Sequence, residues 1–332
     1  MTDSPDPSAS RPHHPLLTLV GLTLGLGAIL VLLLALFILP SLRSGASDLP
    51  VGLVGSPAAI SALQEDLAEG VPGAYVARTY ASEDDLRAAI EAREVVGGLV
   101  ISDTGLDALV TSAGSAVIAA ALGNTAAELA AAAGLPLNVI DVVPLPAADP
   151  SGIGIGGLTF PLVFGGIVPV VAFKSAFPHR DGWRLAGIVL TSVVSGLIVA
   201  AVLQFWFGSI VDAFWPVAGA MALGVAAMAL PLAGLQQVFG GAGFTIGAMV
   251  MMFLGNPLAG IATTGAWLPT ELGLVGQLLP PGATGTLVRS AAYFDWAGGG
   301  GAAITLVAWI VIGLVLTAVG LMRGKPVDPM ED

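Results

Sequence analysis

The longest apolar run of the chain, Leu16 to Leu39, carries no charged residue and no amide. At about 1.5 Å per residue, a helix of this length covers the roughly 30 Å hydrocarbon core of a bilayer. A signal peptide would have a shorter apolar region followed by a small-residue cleavage site. No such site stands next to the run, which continues through Pro40 to Arg43. The pattern therefore predicts an uncleaved transmembrane helix over residues 16–39.

Further apolar stretches fill the second half of the chain, residues 157–322. Their length and hydropathy predict five more transmembrane helices, so the fold class is a polytopic α-helical membrane protein with six spans. The five stretches are Gly157–Phe173, Leu185–Phe207, Phe214–Ala233, Phe244–Ala262 and Ala302–Met322. An even number of spans places residues 1–15, predicted to be a disordered tail, on the same side of the membrane as the tail 323–332.

Residues 41–156, between the first two spans, have a different pattern. Short β-like runs alternate with amphipathic helices, and the order β-α-β-α-β-β-α-β predicts one α/β domain inserted between helices 1 and 2. The Ala-rich segment Ala116 to Ala133 is long enough to be mistaken for a span. It contains Asn124, Thr125 and Glu128, and alanine contributes little to membrane insertion, so we expect it to pack on the sheet of this domain.

Composition and charge support this organisation and orient it. Hydrophobic residues make up 55 % of the chain and charged residues 10 %, against about 25 % charged residues in soluble domains. Segment 41–156 holds fourteen acidic residues and four arginines, whereas basic residues cluster in 174–184 and 323–325. Because basic loops stay in the cytoplasm, both termini are predicted to be cytoplasmic and the α/β domain extracytoplasmic. Ala and Gly are abundant and arginines outnumber lysines nine to two, which is typical of a GC-rich bacterial genome, so the expected location is a bacterial plasma membrane.

The chain lacks the sequence signatures of catalysis and of cofactor binding. There is no cysteine and no Walker A sequence, so neither thiolate metal sites nor nucleotide binding by a P-loop is predicted. Gly152 to Gly157 leads into a span, which favours a hinge over a dinucleotide site. The adjacent His13 and His14 lack a third ligand and make a weak metal site. We therefore predict neither an enzyme nor a cofactor, and no nucleic-acid partner.

The predicted spans contain almost no ionisable residue at mid-depth, where the polar groups are Gln204, Gln236, Gln237 and small hydroxyls. Ion-coupled carriers usually bury a group that changes charge. The composition therefore suits either an apolar or lipid-like substrate driven by an external motor, or a structural membrane protein without transport.

The fifth predicted span is broken at Gly255-Asn256-Pro257. Such a break either ends a helix early or lines a cavity or gate. Two short helices are predicted after it, Trp267–Leu279 and Ala283–Tyr293, separated by Pro280-Pro281-Gly282. Their aromatic residues suit the outer membrane interface.

These features resemble the permease subunits of type 2 ABC exporters, and most closely their phage-infection-protein branch. The resemblance covers Leu16 to Met322. It is carried by one span, a large outer domain, five further spans and two short helices after the fifth. The residues that carry it are Leu49–Val54, Leu158–Gly166, Gly255–Gly260, Leu278–Ala283 and Arg289-Ser290. The likeness implies a homodimer that exports a hydrophobic or cell-envelope compound, with a separate cytoplasmic ATPase bound to the loop between spans two and three. The alternative is a non-transporting envelope scaffold or surface receptor whose outer domain binds a partner.

Two sets of candidate site residues follow. The first is an ATPase-docking surface, and its alternative is an ordinary set of positive-inside anchors. It comprises Lys174, Phe177, Arg180, Trp183 and Arg184. The second is an outer gate between two subunits, with Glu271 or Asp295 as partner of an arginine; the alternative is that these charges sit in interfacial water. It comprises Asn256, Pro257, Glu271 and Arg289.

Overall fold

The structure, a computed structural model, describes residues 15–102 and 104–323. The tail predictions for residues 1–14 and 324–332, with His13 and His14, lie outside the described residues. Within them, six helices are long and apolar enough to cross a membrane. The chain is thus a multi-pass helical membrane protein with a small sheet. The candidate spans are Leu16–Leu42, Ala116–Ala133, Ile153–Ala176, Asp181–Trp206, Phe214–Gly255 and Gly300–Met322.

The α/β domain follows the first helix, α1 (Pro15–Leu42), and has the predicted order of strands and helices. Its five strands lie in the order β2-β1-β3-β4-β5, with β3 and β4 antiparallel and the other neighbours parallel. Its elements are β1 (Leu49–Val54), α2 (Pro57–Gly70), β2 (Tyr75–Thr79), α3 (Glu83–Glu91), β3 (Gly98–Ser102), β4 (Gly105–Val110), α4 (Ala116–Ala133) and β5 (Leu137–Asp141).

Helix α4 belongs to this domain, although its length and hydropathy would allow it to span a membrane. The side chain of Ser115 caps its first turn by accepting a hydrogen bond from the N–H of Ile118, and Gly134 ends it in the left-handed region. Its buried residues Leu122 and Ala126 share one core with Val51 and other residues of the sheet. The prediction that this segment packs on the sheet is confirmed.

The remaining helices form a bundle. Two of them continue into short π-helical turns, Val202–Trp206 and Val250–Gly255, and a 3₁₀ turn lies at Gly265–Trp267. The helices are α5 (Ile153–Gly156), α6 (Thr159–Ala176), α7 (Asp181–Ala201), α8 (Phe214–Met249), α9 (Thr270–Leu278), α10 (Pro280–Tyr293) and α11 (Gly300–Met322).

A sharp break at Gly240 divides the stretch from Phe214 to Gly255 into two limbs. Gly240 has φ 65° and ψ −152°, a conformation that glycine adopts without steric cost. The second limb folds back on the first, because Gly247 lies against the side chains of Leu232 and Leu235. The two limbs correspond to the predicted fourth and fifth spans. The fifth span ends at Gly255 rather than at Ala262. Pro257 has no backbone N–H to donate and its ring clashes with the preceding turn, so the helix does not continue through it.

The bundle has two distinct ends. The loop between α6 and α7 lies beside the Gly240 break, since Arg184 hydrogen-bonds Gln236 and Gln237. Gly320, near the end of α11, packs on Gln237. This is the loop end. The α/β domain contacts the opposite end, where Arg93 bonds Ser290. This is the domain end, and the whole length of the bundle separates the two.

Candidate functional site

Helices α9 and α10 form a re-entrant hairpin, Thr270–Tyr293, that enters the bundle from the domain end. The indole N–H of Trp309 donates to the carbonyl of Leu278 at 2.8 Å. Trp309 lies about 14 Å along α11 from Gly300, at 1.5 Å per residue. Thr284 packs against Gly224, which lies about 15 Å along α8 from Phe214. The tip of the hairpin therefore reaches well into the bundle, instead of lying on its outer surface as the sequence suggested.

Glycine allows the hairpin to pack this closely. A Cβ at Gly276 would overlap the carbonyl oxygen of Leu258, and one at Gly282 would overlap the carbonyl oxygen of Gly276. Gln277 donates to the carbonyl of Ala259 at 3.3 Å and accepts from the hydroxyl of Thr286 at 2.6 Å. The predicted linker residues Pro280 and Pro281 instead form the first turn of α10, where proline loses no helical hydrogen bond.

The four predicted gate residues separate into two pairs. Asn256 and Pro257 are half-buried and directly follow the fifth span, whose last residue, Gly255, contacts the ring of Pro281 at the hairpin tip. Glu271 and Arg289 do not meet. Glu271 is exposed in the first turn of α9. Of the four predicted gate residues, only Asn256 and Pro257 therefore lie next to the tip of the hairpin.

Arg289 has a different partner from the one predicted. It is buried in α10 and donates through Nη2 to the carbonyl of Ile261 at 2.7 Å. Among the described residues, the ion pairs are Glu83–Arg87 and Asp181–Arg184. The predicted pairing of Arg289 with Glu271 or Asp295 is therefore wrong, because α10 directs the guanidinium into the protein while both carboxylates stay exposed.

Arg93, which the sequence did not single out, joins the α/β domain to the hairpin. Its Nη1 donates to the hydroxyl of Ser290 at 2.7 Å, and its guanidinium carbon lies 5.0 Å from the ring centroid of Phe294. Burial lowers the pKa of Arg93. Its φ of 59° is uncommon outside glycine and is found at sites where surrounding contacts hold the backbone. A positively charged side chain thus fixes the contact between the two parts of the chain.

An apolar cavity of about 730 Å³ lies between α6 and α7 at the domain end. Most of its wall is aliphatic or aromatic, as in a site for an apolar compound. Polar groups enter it at one side through Asp149 and Ser209. Its other lining residues are Ala148, Ile153, Gly154, Gly157, Leu158, Pro161, Ile198, Val199, Val202, Leu203, Trp206 and Phe207.

Asp149 is the buried acid of this end, and backbone groups hold it. Its carboxylate accepts hydrogen bonds from the N–H groups of Ile153 and Gly154, both at 2.8 Å. Burial alone would raise the pKa of Asp149, but these hydrogen bonds outweigh it, and the pKa lies below its ordinary value. The carboxylate is therefore ionised at neutral pH, and it caps the first turn of α5, which leads into the bundle.

The predicted docking residues surround the loop end. Lys174, Arg180 and Trp183 are exposed, and the ring of Phe177 stacks on Trp183 at 6.3 Å. Arg184 differs from them. It donates to Asp181 at 2.7 Å and to Gln236 at 3.2 Å, so it holds the loop against α8 instead of facing a partner.

Comparisons with protein-family models, curated proteins and solved structures find no match for this chain.

Proposed function

We propose that the chain is the membrane-spanning permease subunit of an ABC-type exporter, which moves a hydrophobic or cell-envelope-related compound outward. A separate ATPase supplies the energy. The observation that carries this proposal is the re-entrant hairpin, which fills the domain end of a bundle of apolar helices. A movable hairpin there would act as an outer gate, with Asn256 and Pro257 at its tip.

The distribution of charge supports an external motor. In the described membrane helices, Lys174, Asp181 and Arg184 stand at the loop end, and α8 and α11 carry no charged residue. The hairpin adds the buried Arg289, an arginine, whose charge does not change at physiological pH. A carrier driven by protons or ions needs a group in the spans whose charge changes. The cavity between α6 and α7 is apolar and suits a lipid-like compound. The driving force must then come from another protein.

The loop end supplies a surface for that protein. Arg180 in the loop is exposed, as are Lys174 at the end of α6 and Trp183 at the start of α7. Phe177 stacks on the indole of Trp183. Arg184 links the loop end to Gln236 and Gln237 of α8. A movement of the loop caused by the ATPase would therefore be passed on to α8. The exposed apolar surface of α1 leaves room for a second copy of the chain, in the homodimer that the likeness to type 2 exporters implies.

The orientation belongs to the same proposal. The loop end and both termini face the cytoplasm of a bacterium, and the α/β domain faces outward. Ser61 in α2 and Ser175 in the last turn of α6, at the loop end, are both exposed, and the chain has no cysteine of its own. An impermeant thiol reagent should label Ser61→Cys in intact cells and Ser175→Cys only after lysis. Labelling in the reverse order would contradict the orientation.

Purification of the full chain from its native membranes tests the function. We expect an ATPase to co-purify, and we expect the Arg180→Glu, Trp183→Ala variant to retain at least fivefold less of it. Arg87→Glu in the α/β domain is the matched control and should retain the ATPase. If the wild-type chain brings down no ATPase, the permease proposal fails and the scaffold or receptor function replaces it. Unchanged binding by the double variant would refute the docking surface alone.

A further inference from the structure

A second cavity, of about 320 Å³, lies between the α/β domain and the hairpin. We refer to it as the interdomain cavity. One part of its wall is apolar and the other polar. The apolar part consists of Pro50, Ile90, Val95, Val96, Ile118 and Phe294. The polar part includes Arg93, Thr111, Ser115, Thr264, Gln277 and Thr286.

The positive charge at this cavity comes from Arg93, which lines it and bonds Ser290. Among the described residues Arg93 forms no ion pair, since the ion pairs there lie elsewhere. Burying a cation without an opposite charge is unfavourable. An anion in the cavity would offset this cost.

One further polar feature of the wall favours a ligand. The hydroxyl oxygen of Thr264 is fully buried and has no hydrogen-bond partner among the described residues, although buried hydroxyls usually have one. The first turn of α4 also lines the cavity, through Gly114, Ser115 and Ile118. The N–H groups of these three residues are already bonded, those of Gly114 and Ser115 to the carbonyl of Thr111 and that of Ile118 to the hydroxyl of Ser115. Gln277 and Thr286 likewise bond each other, so Arg93 and Thr264 remain as the groups that could hold an anion.

We propose that the interdomain cavity binds an amphiphile through its oxyanion, a phosphate or a carboxylate. Arg93 and the Thr264 hydroxyl hold the headgroup, and the apolar wall receives the start of the chain. The inference does not depend on export, because such a ligand would join the α/β domain to the hairpin in a permease and in a scaffold alike. The apolar wall favours an amphiphile over a free inorganic anion.

Binding to the purified full chain in a nonionic detergent tests the inference. The probes are dioctanoyl phosphatidylglycerol, decanoate, dioctanoyl phosphatidylcholine and inorganic phosphate. We expect at least one of the two anionic amphiphiles to bind at least tenfold more tightly than the zwitterionic lipid and than phosphate. Which of the two binds more tightly identifies the headgroup. Equal affinity for both dioctanoyl lipids, or phosphate binding as tight as that of the anionic amphiphiles, would overturn the proposal.

Variants locate the binding. Arg93→Gln should weaken binding of the anionic amphiphile at least tenfold, and Arg87→Gln, the same change on the outer surface of α3, should leave it unchanged. Ala266 is exposed and lines the cavity. Ala266→Trp fills the cavity without removing a charge and should also abolish binding, whereas Ala58→Trp on α2 should not. Wild-type affinity in both Arg93→Gln and Ala266→Trp would place the ligand elsewhere and refute the site.

Discussion

The two ends of the bundle hold their charged residues in opposite ways. At the loop end, Arg184 pairs with Asp181 in the same helix. At the domain end, acid and base are kept apart: Asp149 is held by backbone N–H groups, while Arg93 and Arg289 bind a hydroxyl and a carbonyl. The half-buried arginine of the loop end is therefore paired and braces the loop, whereas the arginines of the domain end keep their positive charge without an acidic partner among the described residues.

The two ends also differ in packing, and disrupting the domain end should have the largest effect. Gly276→Ala places a methyl group on the carbonyl of Leu258, so the hairpin must shift. We expect the free energy of unfolding to fall by about 3 kcal/mol, at the upper end of overpacking costs. Denaturation of the purified protein in detergent measures this change.

Gly182→Ala at the loop end is the matched control. Nothing lies within 4 Å of a Cβ at Gly182, and alanine is favoured over glycine in a helix by up to about 1 kcal/mol. We expect unchanged or slightly higher stability. Equal losses in the two variants would show that the close packing of the hairpin does not distinguish the ends.

Breaking the charge cluster at the loop end should have a smaller effect. Arg184→Ala removes the bonds to Asp181, Gln236 and Gln237, and it should lower the free energy of unfolding by about 1–2 kcal/mol, because the partly exposed pair is screened by solvent. Arg180→Ala, which removes an exposed charge on the same loop, should change it by less than about 0.5 kcal/mol. A loss in the free energy of unfolding as large in Arg180→Ala as in Arg184→Ala would contradict the bracing role of Arg184.

The smallest effect concerns Asp149 and depends on pH. Because the folded-state pKa of Asp149 lies below its ordinary value, ionised Asp149 stabilises the fold above the unfolded-state pKa of about 3.9, and this contribution is lost as pH falls through the folded-state pKa. Asp149→Asn should therefore be less stable than wild type at pH 7, with a difference that shrinks below about pH 4. A difference that grows on acidification would show that hydrogen bonds do not favour the carboxylate.

Much of the fold could be predicted from the sequence because its local signals agree. The helices of the α/β domain begin at Ser56, Ser82 and Ser115, and each of these side chains caps its helix. The predicted fourth span ends at Ala233 and the predicted fifth begins at Phe244, so a turn was expected between them. The sequence did not single out Gly240 as that turn, because the helix continues up to Gly240 and this one residue with positive φ makes the turn.

The candidate site was harder to predict because it depends on tertiary contacts. Arg93 and Ser290 are separated by 197 positions along the chain, and no local pattern links them. Charge indicated that Arg289 would meet water or an acid, but the hairpin buries it against the carbonyl of Ile261. The sequence could place Lys174, Arg180 and Trp183 on one loop, and it could not separate Arg184 from them, since Gln236 and Gln237 belong to a distant helix.

In the proposed permease, the hairpin gates an outward path that is powered from the loop end. A Cβ at Gly255 would lie 3.8 Å from Cβ of Pro281, a spacing that suits a disulfide. Gly255→Cys, Pro281→Cys can therefore lock the hairpin tip to the fifth span. The measurement is ATP-dependent movement of fluorescent phosphatidylglycerol across proteoliposomes that contain the chain and its co-purified ATPase. We predict that oxidation of the double variant stops the movement, that reduction restores it and that oxidation does not change the rate of either single variant. Movement at the wild-type rate in the oxidised double variant, or movement without ATP, would contradict the proposed gate.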